Sequence, residues 1–140
     1  MPADIGDSRL RGVVAVIICD GKFLVIRRSQ FVRAPLMHCF PGGAIEATDA
    51  DEAAAVRREL LEELYIEVHP LRRIWQSVTP WNVELSWWLA ELDPAAKPRP
   101  NPLEVESCCW LSAAEIRGLP QLLPSNLEFL DACDRGEIRL

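Results

Sequence analysis

Pro41-Gly42-Gly43 and, fifteen residues beyond Gly43, Arg58-Glu59-Leu60-Leu61-Glu62-Glu63 are the stretch that decides how this chain is read. At 3.6 residues per turn, Glu59, Glu62 and Glu63 stand at i, i+3 and i+4, so three carboxylates converge on one helix face behind a glycine turn. Like charges at this spacing cost roughly 0.2–0.5 kcal/mol per pair on an exposed helix, whereas a hard divalent cation held by oxygen ligands reverses the sign. A solvated acidic face has the same spacing. The cluster alone therefore leaves a metal site and a charged surface as alternatives.

The 140 residues suit a single domain, residues 1–140, large enough to bury a core without disulfide or metal staples. A net charge of -6 argues against a nucleic-acid polymer as partner, because that affinity rests on many Lys and Arg contacts to phosphate. A phosphate ligand would need a bridging metal. The five cysteines are odd in number and lack C-x-x-C spacing, which suggests neither a disulfide framework nor a zinc knuckle and fits a reducing compartment. The apolar run Val13 to Cys19 is too short to span a bilayer, and the acidic Met1 to Asp7 leader is wrong for a secretory signal. A cytoplasmic monomer or homodimer without membrane attachment is expected.

Working outward, Val13 to Cys19 and Phe23 to Ile26 flank Asp20-Gly21, a dipeptide that favours a tight hairpin turn. The first strand is apolar almost throughout, as in a sheet covered on both faces, so helices on both sides are implied. Thr48 or Asp49 is predicted to cap a helix running to about Tyr65, with Glu52 completing a capping box after Asp49. Ala53, Val56, Leu60 and Leu64 form its apolar stripe, leaving the three glutamates on the flank. Ile66 to Val78 and Val83 to Leu92 form a second hairpin, in which adjacent Trp87 and Trp88 point to opposite faces. Two core tryptophans, or one turned toward a ligand, are the alternatives. Pro94 to Pro102 is a stiff connector, Glu104 to Leu111 a returning strand, Ser112 the cap of a short helix, and Ser125 to Arg135 a last helix. This order describes an α/β sandwich with a mixed sheet.

The glycine turn, the Arg-Glu-Leu-x-Glu-Glu run and the later Trp110-Leu111-Ser112 together resemble the Nudix hydrolase family, whose box reads G-x5-E-x7-R-E-U-x-E-E-x-G-U with U apolar. Gly43, Arg58, Glu59, Leu60, Glu62, Glu63 and Ile66 match. Leu24 to Arg28, Phe40 to Gly43 and Val83 to Leu92 look like the flanking strands of the MutT-type branch, so the resemblance covers nearly the whole chain and implies a Nudix-type α/β/α sandwich. The box is degenerate at two points. Fourteen residues separate Gly43 from Arg58 where the family has thirteen, with Thr48-Asp49 in place of the usual Gly-Glu. Tyr65 stands where the family has glycine, so a helix ending other than the left-handed glycine cap is expected.

The resemblance implies a metal-dependent pyrophosphohydrolase acting on a nucleoside diphosphate joined to another group, with an oxidised purine nucleoside triphosphate as one candidate. A Nudix-like nucleotide-binding module with weak turnover is the alternative, resting on the altered Thr48-Asp49 loop. Mg²⁺ or Mn²⁺ is the implied cofactor, with Glu59, Glu62, Glu63, Glu104 and the Gly42 carbonyl as candidate ligands. Arg58 resembles the arginine that orients a glutamate through a bidentate pair; a surface ion pair with Glu62 is its plainer role. Glu104, six residues before Trp110, and its rival Glu106 are candidates for a further ligand or for the base. Asn126 resembles the asparagine that reads a purine edge, with capping of the last helix as its other role. Arg28, Phe40 and Gly43 complete the candidate substrate site. His38 and His69 lack partners at metal-ligand spacing.

Overall fold

The computed structural model describes residues 10–140, and the Met1 to Asp7 leader lies outside the described residues. β1 (Leu10–Cys19) and β2 (Lys22–Arg28) are joined by Asp20 and Gly21, both left-handed at φ 52° and 75°, as a tight hairpin demands. Alternation along β1 then divides the core. Val13, Ala15 and Ile17 face one side, Val14 and Val16 the other, and all five are buried.

The first face packs against Ala55, Val56, Leu60 and Leu64 of α1 (Glu52–Leu64), and the second against α2 (Ala113–Arg117) and α3 (Pro124–Asp134) through Ile116, Phe129 and Leu130. Between them lies a mixed seven-stranded sheet. Its order is β3 (His38–Cys39), β2, β1, β6 (Val83–Leu92), β5 (Val68–Val78), with β4 (Gly42–Ala44) on β1 and β7 (Val105–Leu111) on β2. β1 and β6 run parallel from Leu10↔Val83 to Ile17↔Ala90, and the crossover between them carries α1. The other edge of β1 is shared, β4 pairing at Gly12 to Val14 and β2 at Ile18 and Cys19. That sharing lays the Gly42-Gly43 turn along β1, beneath α1.

Several expectations are corrected at the helix ends. Asp51, not Thr48 or Asp49, caps α1, accepting the Ala54 N–H at 2.8 Å. Asp49 is taken up by Arg58. Ala55 rather than Ala53 is the fully buried alanine of the stripe, and Glu59 and Glu63 are themselves buried, not on the flank. Tyr65 ends the helix in the left-handed conformation expected of glycine, at φ 54° and ψ 37°, its N–H donating to Leu61 O. The remaining C-terminal carbonyls are met by the proline-rich connector. Arg99 N–H donates to Leu64 O, Asn101 N–H to Glu63 O and the Asn101 amide to Glu62 O. Asn126 does not cap α3: the cap is Leu123, without a side-chain bond, and Pro124 opens the helix where a missing N–H costs nothing. Ser112 does cap α2, in a full capping box with Glu115.

Trp87 and Trp88 do point to opposite faces. Trp87 is fully enclosed, while Trp88 is partly buried and donates its Nε1–H to Glu52 at 2.9 Å. Glu52 also binds Arg11 and the Ser86 hydroxyl, tying the first turn of α1 to β1 and β6. Among the described residues, no helix is long and apolar enough to cross a membrane.

Candidate active site

Glu59 and Glu63, one turn apart on α1, face the glycine turn and are 8% and 5% exposed. Glu63 Oε1 accepts the Gly42 N–H at 3.0 Å. The Glu59 carboxylate lies flat on Gly43, where an added Cβ would meet its carboxylate carbon at 2.5 Å. A Cβ at Gly42 would run into the Val13 carbonyl oxygen. Both glycines are therefore required by close approach, one to β1 and the other to a buried carboxylate.

Burial and mutual repulsion unsettle these acids. Burial, with the charges of Glu62 and Glu104 adding to it against Arg58, pushes the Glu59 carboxyl up to about 7. Glu63 is raised well above the ordinary carboxylate range by burial first and the Glu59 charge second. Glu104 is also raised, by burial and then by Glu62. The three sense one another's charge, which puts Glu104 in the same cluster although it lies 41 residues beyond Glu63 in the chain. Glu106 is turned away, paired with Arg27 at 2.9 Å.

Arg58 organises the cluster. Its Nε and NH2 form a bidentate pair with Asp49 at 2.9 and 2.8 Å, and NH2 also reaches Ala44 O at 2.9 Å. NH1 donates to Glu62 at 2.8 Å and Glu59 at 3.1 Å, and lies 3.3 Å from Glu46. The bidentate partner of Arg58 is thus Asp49 rather than a glutamate, while the i,i+4 pair with Glu62 is present beside it. The Arg58 guanidinium holds the Asp49 carboxyl down at about 2.

Arg28 stands at the edge of the cluster, its charge acting on Glu63 and on the buried Cys39, whose thiol burial pushes up to about 11. Its Nε–H donates to Arg33 O at 2.6 Å. Phe40 and Asn126 lie elsewhere. Phe40 is 3% exposed within an aromatic cluster, and Asn126 is 2% exposed, its Oδ1 accepting the Phe40 N–H at 2.9 Å and its amide donating to Leu123 O at 3.3 Å. His38 makes a structural contact, Nδ1 to Pro120 O at 2.9 Å. Sequence reasoning missed Asn101, whose amide also lies 3.4 Å from Glu104 Oε2, because nothing in a proline-rich run marks it.

The donor set has the chemistry of a hard-cation site: buried oxygen anions that repel one another beside exposed ones. Among the described residues no three side chains close around a common point. An octahedral Mg²⁺ ion does not need such a cage, since it takes one or two carboxylates and completes its shell with water and phosphate oxygens.

Comparisons with known proteins bear on the family and the fold. The chain matches the NUDIX domain over residues 9–133. It is 31% identical over 108 residues to phosphatase NudJ of Escherichia coli K12, covering 74% of this chain and 69% of that protein. Its fold is similar to the MutT protein of Methanosarcina mazei Go1, with a TM-score of 0.76 at 24% identity over 91% of this chain and 94% of that one. A NUDIX hydrolase from Nitrosomonas europaea superposes with a TM-score of 0.72 at 20% identity, over 94% and 92% of the two chains. This chain belongs to the Nudix family and is a hydrolase with a MutT-like fold.

Proposed function

We propose that this hydrolase is a divalent-metal-dependent pyrophosphohydrolase that cleaves a nucleoside diphosphate linked to another group. An oxidised purine nucleoside triphosphate, split to the monophosphate and pyrophosphate, is one substrate of that class. The observation that carries the proposal is the pair of buried, mutually repelling carboxylates, Glu59 and Glu63, set against the Gly42-Gly43 turn. Mg²⁺ or Mn²⁺ is the cofactor this reading assigns, its one or two carboxylate ligands drawn from Glu59, Glu62, Glu63 and Glu104, beside the Gly42 carbonyl. When bound, such an ion neutralises the diphosphate and activates water for attack on phosphorus.

The protein's own groups supply the rest. Arg58, held by Asp49, keeps Glu59 and Glu62 oriented. Arg28 is assigned to the substrate phosphates, and Gly43 to the close approach that leaves Glu59 its place. Glu104 takes the proton of the attacking water as the new P–O bond forms. The bridging P–O bond breaks, and the departing phosphate keeps the electron pair. Glu106 is the poorer base because Arg27 occupies it. Phe40 and Asn126 are enclosed and lend the purine reading no support. Nor does the Thr48-Asp49 loop favour a weak binding module, since Asp49 makes the bidentate pair.

In this reading the chain is one domain, a monomer or homodimer, working on small molecules in the cytoplasm. Five free cysteines suit a reducing compartment, and a net charge of -6 opposes polymeric nucleic acid. The test is phosphate and pyrophosphate release from nucleoside triphosphates, oxidised purine triphosphates, ADP-ribose, dinucleoside polyphosphates and nucleotide sugars, with Mg²⁺ or Mn²⁺. Turnover that disappears in Glu63→Gln supports the proposal; turnover that survives it removes the assigned site.

A further inference from the structure

Phe40 and Asn126, two of the residues expected in the substrate site, are walled into the core on the α3 side of the sheet. Phe40 stacks on Phe23 at 5.4 Å and meets Phe129 edge-on at 5.5 Å, while Trp87 lies flat against Phe129 at 4.9 Å. All four rings are at most 7% exposed. Asn126 has a protein partner at each end of its amide. A group joined to a diphosphate at the α1 carboxylates therefore finds in Phe40 and Asn126 neither an exposed ring nor a free hydrogen-bonding edge.

Beside the carboxylates the surface is different. Ser29, 2% exposed, donates its hydroxyl to Leu103 O at 2.9 Å and accepts the Phe31 N–H at 3.2 Å. Its own N–H donates to Glu104 O at 3.0 Å. One buried serine thus fastens the loop after β2 to the connector before β7, next to Glu104. From these two loops Phe31 and Leu103 each stand 67% exposed, while Arg28 of the same β2 end reaches Glu63 with its charge. Single exposed apolar residues are ordinary, but these two have their backbones held side by side by one buried hydroxyl, next to Glu104, and form a lip.

We propose that Phe31 and Leu103 hold the non-phosphate group of the substrate, a flat aromatic ring, by stacking and apolar contact rather than by hydrogen bonds to its edge. This rests on the hydrolase site described above. Stacking accepts any base, because every base has a π-face. The protein therefore selects for the presence of a ring and weakly for its identity.

Steady-state kinetics of the full chain with Mg²⁺ test this, using four nucleoside triphosphates that differ only in base and tripolyphosphate as a ring-free probe. The expected result is kcat/KM within about tenfold across the bases. Phe31→Ala raises KM roughly tenfold for all four alike with kcat retained, and leaves tripolyphosphate unaffected. Phe31→Trp restores KM, and nucleotide but not tripolyphosphate changes its added fluorescence. Both positions are exposed, so unchanged melting temperatures are expected in these variants and in Leu103→Ser. An active protein whose KM ignores Phe31→Ala and Leu103→Ser, or one that prefers a single base by about a hundredfold, overturns the lip. If the wild type hydrolyses none of these and nothing in the wider panel of nucleotide-linked diphosphates, the pyrophosphohydrolase reading fails by itself. Fluorescence of Phe31→Trp then still decides the lip, a response to nucleotide supporting it and silence overturning it.

Discussion

Arg58 shows how one side chain sets the state of its neighbours. Its guanidinium stabilises the ionised form of Asp49 and opposes the forces that raise Glu59. The two acids consequently act on stability in opposite pH windows. Asp49, lowered from 3.8 to about 2, contributes stability present above its unfolded value and lost as pH falls through 2. Glu59, raised from 4.5 to about 7, is favoured in its protonated folded form, a contribution lost as pH rises through 7. Metal-free protein should thus melt on the order of 5 °C higher at about pH 5 than at about pH 8, and millimolar Mg²⁺ should recover the loss at the higher pH. A melting temperature that rises with pH, or ignores Mg²⁺, would contradict this account. Gly43→Ala places a methyl where the Glu59 carboxylate lies and should lower kcat by about a hundredfold or more with the fold retained; circular dichroism and kinetics on one preparation check both halves.

At the scale of elements, the C-terminus of α1 is where local preference yields to tertiary bonding. Tyr65 occupies a left-handed position that disfavours a Cβ by roughly 1–2 kcal/mol. Arg99 lies 5.4 Å over its ring, and the connector satisfies the last carbonyls from outside the helix. Tyr65→Gly should therefore be more stable than Tyr65→Ala by about 1 kcal/mol, since only alanine retains the strain while losing the ring; chemical denaturation of the pair decides it. Asn101 binds the same helix end to Glu104. Asn101→Ala should cost about 1 kcal/mol and lower kcat more than it changes KM, because Glu104 loses its neighbour while the phosphate contacts remain. Equal kcat in mutant and wild type would limit Asn101 to the helix end.

For the whole molecule, β1 divides two cores that carry different tasks. The α1 face positions the acids, whereas the α3 face is an aromatic block with Trp87 at its centre, stacked on Phe129 and donating its Nε1–H to Ser77. Trp87→Ala should cost about 3–5 kcal/mol, with thermal unfolding as the measure, because a ring with no exposed surface leaves a cavity its neighbours cannot close. Much of this architecture was legible in the chain. Asp20-Gly21, the continuous apolar run of β1, the Ser112 cap and the i, i+3, i+4 glutamates each depend on residues within a turn or two of one another. What lay hidden depended on distant partners. Asp49 was spoken for by Arg58 rather than by the helix start; Glu104 rather than Glu106 joined the acids because Arg27 drew Glu106 away; Asn126 turned inward to the Phe40 N–H, 86 residues off in sequence. By itself the sequence determined the strands, the helices and the acid chemistry of one helix face, since propensity and periodicity act over short range. Only the tertiary structure decided which acids are buried, what each charge pairs with and where a ligand finds open surface, because desolvation and hydrogen-bond partnership exist only once distant segments have packed.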